Sequence, residues 1–355
     1  MKTNVLFQNT KLVLILGIGH GFSDATAGYL MGSLVYRSDF IQTGEAILLY
    51  NVLAFGGQLP AGIWLDKMKN QRTATLLSLV GMMVALSLIN ENIWFFTILS
   101  GISSAFFHVA AGGVTLMSQP NRASFIGVFS SFGILGLAFG GLSATMHWAW
   151  VQYLLTASLI TVLILAYRAK FPSFQKKELQ LQETTPLDTH DYLMILLLLA
   201  IAMRSAIWNF VQLLYSEKYD WLVYTALAAF VGKLLGGWLS DRIGWRRYAM
   251  WALTIAIPAL SWGYRKLFWL MLGVGLLQSI TPVSAVVMAK VFPKHPSTAS
   301  GIAFGLAISL GGIVQIFIPN ASYLPLFSVL IILGLFSWWL YFYTFKLFKT
   351  LHIRS

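Results

Sequence analysis

With 355 residues, 57% of them hydrophobic and only 10% charged, the chain stands apart from soluble domains, which carry about 45–50% apolar and 25% charged residues. It reads as an all-α polytopic membrane protein, with length for about twelve spans of roughly 20 residues and none left for a soluble catalytic domain. The net charge of +12 sits in loops between apolar runs, which points to topology rather than nucleic acid, and the lack of cysteine excludes disulfides and thiolate chemistry.

In chain order, Met1 to about Gly19 is basic and then apolar, like a signal peptide. No small-residue cleavage site follows, and the run continues past His20 and Asp24, so it reads as an uncleaved first span over 11–35. Further apolar windows cover 42–65, 73–90, 93–117, 123–144 and 148–167. Arg168 to His190 is long and polar enough for a linker, with Lys176, Lys177, Glu178, Glu183 and Thr184-Thr185-Pro186. The second half reads 191–215, 220–240, 248–264, 267–291, 298–318 and 323–345. The expected organisation is two pseudo-symmetric six-helix bundles, over 1–168 and 191–355, joined by a cytoplasmic linker over 169–190.

With the amino terminus placed in the cytoplasm, eighteen lysines and arginines fall on the inner side. Four, Arg37, Lys218, Arg265 and Lys266, fall outside, and Arg204 and Lys233 lie within spans. This asymmetry is the positive-inside pattern and an odd number of spans would scramble it. Both termini are expected in the cytoplasm, and the setting is expected to be a bacterial inner membrane.

One loop is written twice. Gly62-Ile63-Trp64-Leu65-Asp66-Lys67-Met68 runs on to Arg72, and Gly237-Trp238-Leu239-Ser240-Asp241-Arg242-Ile243 to Arg247, at a constant offset of 175 residues. Internal repeats of this kind are expected in secondary transporters. The pattern resembles the signature of the major facilitator superfamily between helices two and three. The second copy includes Gly244 before its closing bases, whereas the first carries Lys69 at that place.

The resemblance implies a twelve-helix fold, transport by alternating access, and an aspartate that holds the inner gate closed against a helix start in the opposite half. A carboxylate at a helix amino terminus is stabilised by about 0.3–1 kcal/mol. Two starts carry the expected proline and capping residues, Pro296-Ser297-Thr298-Ala299-Ser300 and Pro120-Asn121-Arg122-Ala123-Ser124. Asp66 is expected to face the first and Asp241 the second.

Glycines crowd the fifth span (Gly127, Gly133, Gly136, Gly140, Gly141) and the eleventh (Gly301, Gly305, Gly311, Gly312). They read either as plain close helix packing or as a sliding seam between the halves. Gly136-Leu137-Ala138-Phe139-Gly140-Gly141 is similar to the glycine-rich signature of drug–proton antiporters, with Leu137 at the place of its proline. His20, Asp24, Phe107 and His108 resemble the fosmidomycin-resistance-type efflux branch, with Val109 where that branch has proline.

Ionisable residues inside spans cost about 2.5–3.5 kcal/mol each at a helix centre and are functional candidates by default. Asp24 in span one and Arg204 in span seven lie at matching depths, so an ion pair or an alternating partnership between them is expected, the other reading being that each is a buried polar residue with local partners. His20 lies one helical turn from Asp24, and His108 in span four falls at a similar depth, so all four are expected to converge as a proton-coupling and substrate set. Trp208, Asn209 and Gln212, with Gln278 and Thr281, add hydrogen-bonding groups and an aromatic wall, and Pro282 is expected to break span ten. Lys233 either faces the cavity or snorkels to the interface; its repeat partner is Gln58.

The expected function is a proton-coupled secondary transporter of a small solute, anionic if Lys233 and Arg204 face the cavity. Export by antiport is set slightly ahead of uptake by symport. A transporter-like receptor or scaffold without transport and a lipid flippase stay open. Partners are the solute, protons and the bilayer, with no nucleic acid, and a monomer is expected. No metal-ligand cluster, nucleophile motif or phosphate loop stands out, so no enzyme activity, cofactor or metal is expected.

Overall fold

The computed structural model describes residues 2–172, 189–215, 218–317 and 326–350. It is all-helical among the described residues, with twelve helices in two six-helix halves. The first half comprises α1 (Lys2–Ser33), α2 (Phe40–Met68), α3 (Gln71–Ser87), α4 (Ile93–Ser118), α5 (Ala123–Thr145) and α6 (Trp150–Arg168). The second comprises α7 (Thr189–Leu214), α8 (Tyr219–Ile243), α9 (Trp245–Gly263), α10 (Leu267–Val291), α11 (296–317) and α12 (Leu326–Thr350). Of the expected linker, residues 173–188 lie outside the described residues.

Eight of these helices are long and apolar enough to cross a membrane by composition alone. The protein is an integral multi-pass membrane protein. Of the remaining four, α3 is only 17 residues long, α9 opens with Arg246 and Arg247, and α11 is interrupted.

Local chemistry sets the helix ends. The Asp39 carboxylate accepts from Gln42 N–H at 2.9 Å at the start of α2, and the Asn92 side chain accepts from Trp94 N–H at 2.8 Å at the start of α4, each satisfying a donor with no intrahelical partner. Gly244 ends α8 at φ 93, a conformation open to glycine. Lys69, its counterpart in the first repeat, takes a left-handed φ of 55 to end α2. The turn survives without the signature's second glycine.

Three helices are irregular. Helix α2 widens into a π turn over Val52–Gly56, and α11 does the same over Gly301–Leu306; these turns face each other across the seam between halves. Helix α10 breaks at Ile280, with Pro282 in the first turn of its second segment, where a missing N–H costs nothing.

The halves meet through α5 against α8 and α10, and through α11 against α2 and α4. The glycine-rich helices thus both lie on the seam, but the seam accounts for only part of their glycines. A methyl on Gly127 would meet the Lys233 carbonyl at 2.7 Å, and one on Gly301 the Gln58 carbonyl at 2.6 Å, both across the seam. Gly136 and Gly140 instead let α5 press on the Gly21 and Ala25 carbonyls of α1, and Gly311 admits the Ala202 carbonyl of α7, all within one half. Close packing inside each bundle explains these.

Candidate functional site

Two sites emerge, one at the repeated loops and one deeper between the helices. At the first, Asp66 is buried and takes three hydrogen bonds from the start of α11. Ser297 N–H donates at 3.0 Å, and Thr298 donates through N–H and Oγ1, both at 2.7 Å. Asp241 takes the corresponding place at α5, accepting from Ala123 N–H at 2.8 Å and Ser124 N–H at 3.0 Å. Each carboxylate spans two otherwise unpaired amides where the helix dipole is positive.

The motif glycine lies one turn before each aspartate on the same face. A Cβ on Gly62 would come within 2.5 Å of the Ser297 carbonyl, and one on Gly237 within 2.8 Å of the Ala123 carbonyl, so only glycine admits the opposing helix start at this distance. Around this core, Gln71 Nε2 donates to Ser297 Oγ at 3.2 Å, and Trp245 Nε1 to Asp241 Oδ1 at 3.1 Å. Neither Gln71 nor Trp245 was singled out by the sequence.

The motif bases do other work. Arg72 donates to the Tyr167 carbonyl at 2.7 Å and so caps the end of α6, while Arg242 lies over the Trp238 ring at 3.7 Å. Lys67 is exposed on the last turn of α2, and Arg247 lines a surface groove with Arg246 and Trp251. These four do not touch the aspartates.

Deeper in the first half, α1 and α4 bring His20, Asp24 and His108 together. Asp24 Oδ2 lies 3.2 Å from His20 Nε2 and Asp24 Oδ1 3.5 Å from His108 Nε2, while the two Nε2 atoms are 2.9 Å apart. Each ring is pinned from behind: His20 Nδ1 is 2.9 Å from the Phe129 carbonyl of α5, and His108 Nδ1 is 2.8 Å from the Ser104 carbonyl of its own helix. A carbonyl oxygen has no proton to give, so each Nδ1 carries the hydrogen. In the neutral rings both Nε2 atoms are then bare acceptors, aimed at each other and at a carboxylate.

Three acceptors with no donor among them call for a shared cation. Room exists because α5 presents Gly133 here, where a Cβ would fall 2.5 Å from His20 Nε2 and 2.7 Å from Asp24 Oδ2. The three side chains retain 8%, 16% and 9% exposure in chain order, buried but not sealed.

Arg204 does not join them, contrary to the expected Asp24–Arg204 pair. Its Nη1 donates to Gln278 Oε1 at 3.2 Å, which also accepts from Thr281 Oγ1 at 3.2 Å, and it lies within electrostatic reach of Tyr341. The Tyr341 hydroxyl in turn meets Ser284 Oγ at 2.7 Å. Arg204 thus finds its partner within its own half, on α10, rather than on α1. Arg204 Nε has no partner among the described residues.

Lys233 stands between the two clusters, within electrostatic reach of both Asp24 and Arg204. Its Nζ donates to the Ser130 carbonyl of α5 at 3.1 Å, so it ties the halves together rather than snorkelling. Trp208 packs half-buried on the core of the second half, Asn209 Nδ2 lies 3.8 Å from where a Cβ on Gly312 of α11 would fall, and Gln212 is half-buried farther along α7. None of these three reaches Asp24 or the histidines.

The family model described as the Major Facilitator Superfamily matches residues 13–314. The chain belongs to that superfamily. Among solved superfamily structures, the transporter FucP in the outward conformation is similar at 14% identity and a TM-score of 0.72, with 96% of this chain and 98% of that one covered. A structure of the E. coli fucose:proton symporter FucP gives 0.65 at 14% identity with the same coverage. The human organic anion transporter MFSD10 gives 0.69 at 15% identity, covering 96% and 98%. At such identities the likeness is one of fold. No curated protein matches the sequence. Family membership assigns the chain to the secondary transporters, while the fosmidomycin-resistance-type branch gains no support from these matches.

Proposed function

We propose that this superfamily member moves a small solute by alternating access, coupled to protons at His20, Asp24 and His108 and gated by Asp66 and Asp241. The observation that carries the reading is the convergence of two bare imidazole nitrogens and a carboxylate within 3.5 Å. A proton is the simplest cation to satisfy all three, and histidine gains and loses one near neutral pH.

The site communicates with the gate through a short path. Ser300, three residues beyond the Asp66 contacts on α11, donates to the His108 carbonyl at 3.1 Å, so movement of α11 away from Asp66 also pulls on the histidine helix. Both aspartates are engaged, which corresponds to a closed motif end. By the positive-inside pattern that end is cytoplasmic, and its closure is compatible with the outward conformation named for the similar FucP structure. Arg204, with an unpartnered Nε, and Lys233 favour a solute carrying negative charge. The direction proposed is export by antiport, on the resemblance of Gly136–Gly141 to the antiporter signature alone, since Gly136 and Gly140 also serve the packing of α5 on α1.

Transport in proteoliposomes with and without a pH gradient tests the reading. Asp24→Asn is expected to abolish gradient-driven transport while leaving exchange at equal pH measurable. Unchanged gradient-driven transport by the variant would remove Asp24 from the coupling role.

A further inference from the structure

The arrangement that suits a proton also has the form of a metal centre. We infer that His20 Nε2, His108 Nε2 and the Asp24 carboxylate bind one divalent first-row transition-metal ion, in competition with the proton. The inference shares its three acceptors with the proton-coupling reading, and the test separates the two.

Three observations carry it. Ligands each about 2.0–2.1 Å from a zinc-like ion must lie about 2.8–3.4 Å apart for angles between octahedral and tetrahedral; here the two Nε2 atoms are 2.9 Å apart and Asp24 Oδ2 is 3.2 Å from His20 Nε2, both inside that range, while Asp24 Oδ1, 3.5 Å from His108 Nε2, lies just beyond it. Metal-bound histidines almost always donate their other ring N–H to a carbonyl or carboxylate, which fixes the tautomer, and the Phe129 and Ser104 carbonyls do this to both rings. Beside the ligands, α5 offers the bare Cα of Gly133, which leaves space where any side chain would fill the site.

The donor set selects the ion. Two neutral imidazoles and one carboxylate suit zinc, cobalt, nickel or iron(II), whereas calcium and magnesium favour oxygen ligands. Three protein ligands leave a coordination position open to water. Other charged or titratable groups bear on the site from helices packed around it. Lys233 of α8 is within reach of Asp24 and opposes a cation, and Tyr50 of α2 lies behind Ser104, its hydroxyl 3.5 Å from Ser104 Oγ.

A bound ion occupies the nitrogen lone pairs that a proton would use, so each ion bound to the protonated site releases one proton, and zinc blocks proton-coupled transport. The test uses the purified full-length protein, Co2+ as a spectroscopic probe and Zn2+ in calorimetry. One ion per chain is expected, with visible Co2+ bands of a nitrogen-ligated centre and affinity falling about tenfold per pH unit in the acid range, as one displaced proton requires. Asp24→Asn and His108→Gln should each weaken binding by about 100-fold or more, beyond the 10–100-fold typical of outer-shell changes. Lys233→Met should tighten it, a gain that a merely destabilised protein would not show.

Absence of stoichiometric Co2+ binding overturns the inference, as does unaltered affinity in both ligand variants. If metal fails to bind while Asp24→Asn still abolishes gradient-driven transport, the metal site falls and proton coupling stands. If metal binds at one ion per chain while Asp24→Asn keeps normal gradient-driven transport, the metal site stands and proton coupling at Asp24 falls.

Discussion

Asp66 shows how much one side chain holds. Replacing it by alanine strands the Ser297 and Thr298 amides in a buried place, at about 1–3 kcal/mol for each unsatisfied group, and only in the conformation where α11 abuts α2. Asp66→Ala therefore shifts the population toward the state open at the motif end. The sequence has no cysteine, so a single Ser300→Cys on α11, buried against Gly112 and the His108 carbonyl of α4 across the seam, reports this directly. Its alkylation is expected to speed up at least about tenfold in the Asp66→Ala background, each factor of ten corresponding to about 1.4 kcal/mol.

The two turn residues give a paired prediction. A left-handed non-glycine residue costs about 1–2 kcal/mol, partly offset by the greater unfolded-state freedom of glycine, so Lys69→Gly should raise stability by about 0.5 kcal/mol. At φ 93 a side chain on Gly244 is strained, and Gly244→Ala should lower stability by about 1–3 kcal/mol. Thermal unfolding in detergent of the two variants beside the parent decides both, and opposite signs are expected.

At the scale of elements, the contact of α1 with α5 is set by glycines on the facing sides of both helices, among them Gly28 of α1 and Gly136 and Gly140 of α5. Gly136→Ala would drive a methyl into the Gly21 carbonyl, whereas Gly141 has nothing within 4 Å of its would-be Cβ. The first change is expected to destabilise by about 1–3 kcal/mol, as overpacking does, and Gly141→Ala to be neutral, read by unfolding midpoint. The paired π turns of α2 and α11 add a second feature. Such bulges occur frequently at functional sites, and here they place Gln58 against Gly301 and Gly305 where its repeat partner Lys233 meets α5 on the other side of the molecule.

Across the whole molecule, two clamps related by the repeat close one end: Asp66 on the start of α11 and Asp241 on the start of α5. They act on different helix pairs, so loss of either leaves the other in place. In the labelling assay, the combined Asp66→Ala and Asp241→Ala variant is expected to exceed each single variant, up to the ceiling set by full opening. A combined variant no faster than Asp66→Ala alone would show that one clamp carries the gate.

The sequence by itself determined the twelve helices to within a few residues at most ends, the duplicated halves and the aspartate placements at the helix starts. These follow from local quantities: hydropathy over one span, the sign of loop charges, and a motif repeated at fixed spacing. Lys69 in a left-handed turn was legible only through its alignment with Gly244. Tertiary structure alone decided the polar partners. His20 meets His108 across 88 residues of chain, and Arg204 turns to Gln278 instead of Asp24, although depth along the helices had matched them. Depth is written in the sequence, but rotation is not: a helix apolar on all sides carries no stripe to say which face turns inward, so the meeting of side chains waits on how the helices pack.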